Sequence, residues 1–206
     1  DIGYEHSSSE DGQFKISNEL EFAGCYEKRM YNGFNELTFV FCDHNPDASL
    51  IYRPDGLMFK NGQSYYAWQG NNIIAETNAS EKEIYYTRGL GLIKSSTGLY
   101  YLQNGHGDIS ALAKENGTVS TRYMYDAFGN SSYTGEYSDN LFKYCGEYED
   151  SSLGGIYLRA SIYNTGTGRF TTEDPVRDGL NWYAYCGNNP VMFKDPFGME
   201  KIVVSG

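Results

Sequence analysis

The chain has 206 residues, a length that allows one large or two small domains. Its formal net charge of −11 argues against nucleic acid as a partner, because phosphate groups are bound by basic surfaces. It contains 20 Tyr and 24 Gly but only 5 Pro, a composition that favours short strands joined by tight turns.

Alternating and short apolar runs dominate the chain and helical periodicity is almost absent, so we predict an all-β fold. No apolar run is long enough for a membrane span. Residues 1–49 are the hardest part to interpret. We expect strands there whose bounds the sequence does not define, and one interpretation is a degenerate repeat. A strand-like run extends from Leu37 to Cys42, and a loop is expected from Ser7 to Gly12.

Between residues 50 and 135 the pattern is a series of hairpins that recur roughly every 20 to 30 residues, as in repeat architectures. The clearest is an expected turn at Asn61-Gly62, because Asn-Gly accepts positive φ at both central positions. A polar stretch from Ser131 to Asn140 is the best candidate for a boundary to a more compact terminal part. Further strand-like runs are predicted at 72–76, 83–88, 99–102, 108–113 and 119–125.

The four cysteines give no metal-binding pattern. They show no Cys-x-x-Cys spacing and are not grouped with the histidines, so neither a metal site nor a cofactor is expected. Three disulfide pairings are open, and so are buried free thiols. His106 is interpreted as a turn residue that tolerates positive φ. The cysteines are Cys25, Cys42, Cys145 and Cys186.

A series of short motifs follows in a fixed order from about residue 50 to residue 199, beginning with tyrosine-rich pieces such as Tyr65-Tyr66-Ala67-Trp68. The later motifs are Tyr123-Met124-Tyr125-Asp126-Ala127-Phe128-Gly129, Tyr144-Cys145-Gly146-Glu147-Tyr148, Gly155-Ile156-Tyr157-Leu158-Arg159, Gly168-Arg169-Phe170, Asn181-Trp182-Tyr183-Ala184-Tyr185 and Asp195-Pro196-Phe197-Gly198-Met199. In their order these motifs resemble the RHS-repeat-associated core of RHS/YD-repeat proteins.

The resemblance implies consecutive antiparallel β-hairpins, the YD repeats at 50–135, in a curved, spiralling sheet closed by an RHS-associated core at 136–199. In the family such a shell encapsulates a C-terminal toxin and releases it by cutting its own chain, so residues 200–206 would begin that cargo. The implied partners are the chain's own C-terminal cargo polypeptide and the rest of a larger shell. A bacterial protein that is secreted or held at the cell surface is implied as well.

Two aspartates, Asp174 and Asp195, each precede a proline, and in the family the matching pair is proposed to cut the chain just after the Asp-Pro-x-Gly-Leu motif. Two carboxylates brought together cannot both ionise, which leaves one acid and one base for attack of water on a peptide carbonyl. The resemblance implies cleavage of the Met199–Glu200 bond, and Gly198 would give the entering backbone the freedom it needs. At most this is an intramolecular protease, with no turnover on an external substrate.

One position departs from the family pattern. Where the family carries an arginine that is thought to support the carboxylate pair, this chain has Ser161, which provides neither a fixed charge nor a guanidinium fork. Arg159 and Arg169 are near in sequence and are candidate supporting residues. Loss of an adjacent cation should raise the pKa of both aspartates, so slow or absent self-cleavage is predicted.

Other interpretations stay open. Asp-Pro is a common turn opener, so both aspartates also fit a purely structural role. The hairpins would then form a non-enzymatic extracellular structural or adhesion module that self-assembles or binds partners through unpaired strand edges. The faces of Trp68 and Trp182 could instead bind carbohydrate, although such aromatic residues more often pack in a core.

Overall fold

The structure is a computed structural model and describes residues 3–8, 14–22, 25–34, 36–42, 45–77, 80–173 and 181–204. The fold is all-β, as predicted, with twenty strands and three 3-10 helices in that part of the chain. No helix among these residues is long and apolar enough to cross a membrane. Asp174 and most of the expected loop from Ser7 to Gly12 lie outside the described residues.

The first fourteen strands of the described chain form one sheet in which each strand pairs with the next in sequence. They are β1 (Gly3–Ser8), β2 (Phe14–Phe22), β3 (Cys25–Tyr31), β4 (Leu37–Cys42), β5 (Asn45–Tyr52), β6 (Met58–Asn61), β7 (Ser64–Gln69), β8 (Asn72–Thr77), β9 (Glu83–Arg88), β10 (Leu92–Ser95), β11 (Leu99–Gln103), β12 (Ile109–Lys114), β13 (Val119–Tyr125) and β14 (Ser131–Gly135). The pairings are antiparallel, so the predicted series of consecutive hairpins is confirmed. The polar stretch interpreted as a boundary begins as β14.

The hairpin between β6 and β7 turns one residue later than predicted. Asn61 is the last residue of β6 and pairs with Ser64, so the two-residue loop begins at Gly62, where φ is +56°. The Asn61 side chain is buried, and its Nδ2 donates to Asp150 Oδ2 (3.1 Å) and Ser152 Oγ (3.0 Å). A long-range contact to the C-terminal part of the chain therefore keeps Asn61 in the strand.

Residues 140–204, which we call the terminal unit, carry the remaining strands. Four of these strands pair in chain order, and two form a short antiparallel ladder. The four are β15 (Tyr148–Asp150), β16 (Gly155–Leu158), β17 (Ser161–Asn164) and β18 (Arg169–Phe170); the ladder is β19 (Phe193–Lys194) with β20 (Ile202–Val203). The 3-10 helices are Tyr144–Gly146, Ser151–Leu153 and Tyr185–Asn188.

One face of the large sheet packs against the terminal unit. The N–H of Met58 donates to the hydroxyl of Tyr157 (2.8 Å), and the hydroxyls of Tyr66 and Tyr148 share a hydrogen bond (2.8 Å). Tyrosine suits these positions because its ring fills the core while its hydroxyl reaches a polar partner. Other buried members of this shared core are Leu50, Ile73, Tyr101, Leu112, Phe142, Leu153 and Ile162.

Candidate functional site

Asp195 follows β19 and opens a loop that reaches Met199. The residue is 4% exposed, and its Oδ1 accepts the N–H groups of Phe197 (3.1 Å) and Met199 (3.2 Å). Such local bonds are the usual reason that Asp-Pro starts a turn, since Asp accepts backbone donors and Pro presets φ. The same bonds hold the carboxyl beside the peptide groups at the end of the loop.

The surroundings of Asp195 act on the pKa of its carboxyl in two opposing ways. Burial raises the pKa of its carboxyl above the ordinary value, and the backbone N–H groups of residues 197–200 oppose this rise only in part. The N–H of Glu200 belongs to the Met199–Glu200 peptide, so the carboxyl lies against the bond that the resemblance implies is cut. Once water has added to the Met199 carbonyl, that nitrogen has a free lone pair and can accept a proton from an acid in this position.

Gly198 lets this loop lie close against the turn between β16 and β17. Its φ is +67°, and a Cβ would lie 2.8 Å from the carbonyl oxygen of Leu158 and 3.1 Å from the nitrogen of Ser161. The N–H of Ala160 donates to the carbonyl of Phe197 (3.2 Å) in the same contact. A side chain at position 198 would push the loop away from this turn.

Arg159 links the loop to the rest of the molecule. Its Nη1 donates to the carbonyl of Pro196 (2.6 Å) and to Glu147 Oε2 (2.5 Å). Its Nη2 donates to the carbonyl of Asn71 (2.7 Å), in the turn between β7 and β8 of the large sheet. The guanidinium also lies 6.0 Å from the ring centre of Phe197. These contacts join the loop to Glu147 and to the large sheet, and the predicted support of the aspartate pair by Arg159 stays a prediction.

Ser161, which stands where the resemblance implies an arginine, is buried. Its Oγ lies 2.7 Å from Thr172 Oγ1, so the two hydroxyls share a hydrogen bond. A cavity of about 210 Å³ lies beside them and is lined in part by Tyr157 and Arg159. Position 161 therefore has space next to it for a larger side chain.

Two other predicted site residues are Arg169 and Asp174. Arg169 is exposed in β18, and its Nη1 lies 3.5 Å from Asn181 Oδ1. None of the contacts described for Arg169 reaches residues 195–199, and its supporting role stays a prediction. Asp174 lies outside the described residues, and its pairing with Asp195 stays a prediction.

Sequence reasoning missed Glu147 and Asn71 as partners of Arg159. Burial raises the pKa of the Glu147 carboxyl, and the neighbouring guanidinium of Arg159 opposes that rise. A usable signal was the single acidic residue in the motif 144–148. No sequence signal points to Asn71, because its backbone carbonyl makes the contact from 88 positions away.

A second group of polar side chains lies in the turn between β11 and β12. His106 Nδ1 is 2.9 Å from Asp108 Oδ1 and 3.6 Å from Cys145 Sγ. Within the described ranges, these three residues form the one group of His, Cys and carboxylate side chains close enough to hold a metal ion. Spacing hides the group, since Cys145 is 39 positions from His106. The expectation of positive φ at His106 is wrong; Gly107 takes that conformation, with φ at +97°.

Cys145 and Cys186 are free thiols, which selects one of the states left open for these two cysteines. Burial raises the pKa of both thiols, to about 12 for Cys186. Trp68 packs inward: its Nε1 donates to the carbonyl of Met58 (2.7 Å), and its ring lies 6.0 Å from that of Tyr157. These contacts make Trp68 unsuited to a carbohydrate-binding strip.

Comparisons with known proteins find relatives among large bacterial proteins. No protein-family model matches the chain. Over 149 residues, 65% of its length, the chain is 36% identical to the tRNA3(Ser)-specific nuclease WapA of Bacillus spizizenii. Over 92 residues, 41% of its length, it is 34% identical to the double-stranded DNA deaminase toxin A of Burkholderia cenocepacia. The matched stretch spans 6% of each relative.

Among solved structures, a Tc holotoxin pore of Photorhabdus luminescens with a mutant TccC3 has a similar fold. The likeness covers 99% of this chain and 10% of that chain, with a TM-score of 0.53 and 16% identity. At this identity the likeness shows a shared all-β fold.

Proposed function

We propose that this chain is a segment of an RHS-type shell from a secreted or cell-surface bacterial toxin. Residues 50–135 would form part of the wall, residues 136–199 the core, and residues 200–206 the start of the cargo. The order of motifs, the consecutive hairpins and the likeness to WapA and the deaminase toxin support this. The two relatives carry different activities in their names, which fits a shared carrier segment better than a shared toxin activity.

The activity proposed for the core is cleavage of its own chain after Met199. The observation that carries it is the buried carboxyl of Asp195, which has a raised pKa and lies beside the N–H of Glu200. Asp195 is therefore suited to be the acid that protonates the leaving nitrogen. The remaining shell and the downstream polypeptide would be its partners.

In the proposed reaction water adds to the carbonyl carbon of Met199, and Asp174 accepts a proton from that water. The C–N bond then breaks as Asp195 donates its proton to the nitrogen of Glu200. The products are a carboxyl group on Met199 and an amine on Glu200, so the net change is hydrolysis and no cofactor is consumed. One carboxyl acts as acid and the other as base, which requires that their pKa values differ.

Ser161 makes the proposed reaction slow. A serine supplies no positive charge to hold the second carboxylate ionised or to orient it. Arg159 is close, but its guanidinium already binds Glu147, Pro196 and Asn71. The cavity beside Ser161 leaves space in which a longer, charged side chain could reach this region.

The test uses this chain followed by a folded reporter domain, with intact mass followed over days at acidic and neutral pH. A fragment that ends at Met199 should accumulate slowly, Asp195→Asn should stop it, and Ser161→Arg should speed it. Asp126→Asn is the matched control, because Asp126 Oδ1 also accepts the N–H groups two and four residues ahead (2.9 and 3.0 Å). That variant should cleave at the wild-type rate.

Two results would contradict self-cleavage. One is an unchanged intact mass in both the wild-type and Ser161→Arg proteins. The other is cleavage that continues at the wild-type rate in Asp195→Asn. The first result would leave a carrier or adhesion segment with no enzymatic step, and the second would show that the cleavage does not use Asp195.

A non-enzymatic interaction role has its own support in β14. All five residues of this strand are exposed, and it pairs with β13 on one side of the described sheet. A strand with such an edge can accept another strand, from a second copy or from a neighbouring shell segment. Light scattering that finds a monomer at all concentrations would argue against self-assembly through this edge.

A further inference from the structure

The turn between β11 and β12 and the first 3-10 helix of the terminal unit are locked together. The N–H of Ile109 donates to the carbonyl of Lys143 (2.9 Å), and the N–H of Cys145 donates to Asp108 Oδ1 (2.8 Å). Cys145 has a φ of +53°, a conformation that non-glycine residues rarely adopt. This backbone conformation and its bonds bring the Cys145 side chain to the imidazole of His106, from a distant part of the sequence.

The hydrogen-bond partners of His106 limit where its ring can carry hydrogen. Its Nε2 lies 3.0 Å from the carbonyl of Pro190, which only accepts hydrogen bonds, so Nε2 carries a hydrogen. Its Nδ1 then faces a carboxylate oxygen of Asp108 at 2.9 Å, and two acceptors would repel each other. A proton shared between Nδ1 and this oxygen removes the repulsion, and so does a metal ion bound to Nδ1.

The spacing of the donor atoms suits a tetrahedral metal ion. With Zn–N near 2.0 Å and Zn–S near 2.3 Å, tetrahedral ligands would lie about 3.6 Å apart. His106 Nδ1 and Cys145 Sγ are 3.6 Å apart. The corresponding N to O separation would be about 3.4 Å, so Asp108 Oδ1, now at 2.9 Å, would move outward by about half an ångström.

The outer contacts of the group match those of metal sites. A ligating histidine usually donates its other N–H to a carbonyl or carboxylate, as His106 does to Pro190. The second oxygen of Asp108 is held by Asn104 Nδ2 (2.8 Å). A cavity of about 460 Å³, lined in part by His106 and Asp108, offers a route for an ion and for a water molecule as fourth ligand.

We propose that His106 Nδ1, Cys145 Sγ and Asp108 Oδ1 bind a divalent transition metal that prefers tetrahedral sites, such as Zn²⁺. A thiolate and an imidazole select such metals over Mg²⁺ and Ca²⁺. Thiolate and carboxylate together neutralise the two charges of the ion. Two of the ligands come from the large sheet and one from the terminal unit, so the bound metal fastens the two parts together. The site is independent of self-cleavage at Asp195.

The metal-free protein holds the group in another way. The hydrogen bond from His106, together with the opposite charge of Asp108, raises the pKa of the imidazole, and burial raises the pKa of the Cys145 thiol. Both protons must leave when the metal enters, because ligands bind in their deprotonated forms. The carboxylates of Asp108 and Glu147 add to the rise in the pKa of the Cys145 thiol, and the ammonium of Lys194 opposes it.

The test titrates chelator-treated full chain with Co²⁺ as a spectroscopic probe. A thiolate-to-cobalt charge-transfer band and the intense visible bands of tetrahedral Co²⁺ should appear at one equivalent, and Zn²⁺ should displace them. Cys145→Ser and His106→Gln should lose the bands. Cys186→Ser should keep them, because that buried thiol has no part in the group. Zn²⁺ should also raise the Tm of the wild type but not of His106→Gln.

No charge-transfer band in the wild type would overturn the proposal, and so would a band that survives Cys145→Ser. If Cys145→Ser does not fold, His106→Gln tests the proposal. The His106 side chain lies in a turn, and its replacement leaves Cys145 in place. A band that persists unchanged in His106→Gln would show that the metal binds elsewhere.

Discussion

The large sheet and the terminal unit reverse the chain in different ways. In the sheet, hairpins turn at glycines such as Gly62 and Gly117, which have positive φ and open space where a Cβ would lie. Four of the five non-glycine residues with positive φ in the described chain lie in the terminal unit instead. Arg159 is one of these, and each such position is unfavourable by about 1–2 kcal/mol.

The difference shows what holds each region. A hairpin with a suitable glycine turn depends mainly on its own residues and its neighbouring strands. A turn at a non-glycine residue persists only when surrounding contacts hold it. In the terminal unit these contacts come from far along the chain, as when Arg159 binds the carbonyl of Asn71. Matched substitutions should therefore have larger effects in the terminal unit than in the sheet.

The largest expected effect is at Tyr163, which is fully buried and stacks on Tyr185 with ring centres 3.9 Å apart. Tyr163→Ala should lower the free energy of unfolding by about 4 kcal/mol, because it leaves a cavity and removes the hydroxyl bond to Phe128. The matched sheet variant is Tyr85→Ala, at a ring that is 55% exposed, with a loss below about 0.5 kcal/mol. Urea unfolding measures both, and similar losses would contradict the comparison.

The next effect is at Arg159, whose side chain and that of Glu147 are 13% and 14% exposed. Arg159→Ala should destabilise the protein by about 3 kcal/mol, because a buried carboxylate loses its partner. Arg53→Ala removes an arginine from an exposed pair with Asp55 and should change stability by less than about 0.5 kcal/mol. Chemical denaturation measures both losses of stability. Equal losses in the two variants would mean that the Arg159–Glu147 pair is as exposed to solvent as the Arg53–Asp55 pair.

A smaller effect separates backbone conformation from packing. Gly117→Ala and Gly198→Ala both place a Cβ on a residue with positive φ, at +82° and +67°. Only the second Cβ meets a neighbour, the Leu158 carbonyl at 2.8 Å. We expect losses of about 1 kcal/mol for Gly117→Ala and about 2 kcal/mol for Gly198→Ala, measured by thermal unfolding. Equal losses would mean that the loop shifts without strain.

The smallest effect concerns pH and Asp195. Because the folded-state pKa of Asp195 is raised, its contribution to stability is fully present below the unfolded pKa and is lost as pH rises through the folded pKa. Asp195→Asn should therefore be slightly more stable than the wild type at neutral pH, by on the order of 1 kcal/mol or less, since the amide keeps an acceptor oxygen. The difference in stability between Asp195→Asn and the wild type should become smaller in acid. A wild type that is more stable than Asp195→Asn at neutral pH would contradict a raised pKa at Asp195.

Prediction from the sequence succeeded where structure is local. Alternation and glycine turns indicated most of the strands from β6 to β13, although β10 was not predicted. The strand β2 alternates at Phe14, Ile16, Leu20 and Phe22, but the polar Asn18 hides this pattern.

Prediction failed where distant contacts decide. Asn61 lies in β6 and not in the expected turn, because its side chain binds Asp150. His106 contacts Cys145 because two segments that are distant in sequence pack together. Neither contact has a periodicity or a spacing that a single sequence can display.

The short ladder of β19 and β20 encloses the proposed cleavage bond. Lys194 pairs with Ile202, and the N–H of Val204 donates to the carbonyl of Met192 (3.0 Å), so backbone bonds join the chain before and after Met199. Hydrolysis would leave all of these bonds intact. Cleavage of the Met199–Glu200 bond and dissociation of the downstream segment would thus be two events with separate rates. A cleaved protein would migrate as one species in native conditions and as two fragments in detergent.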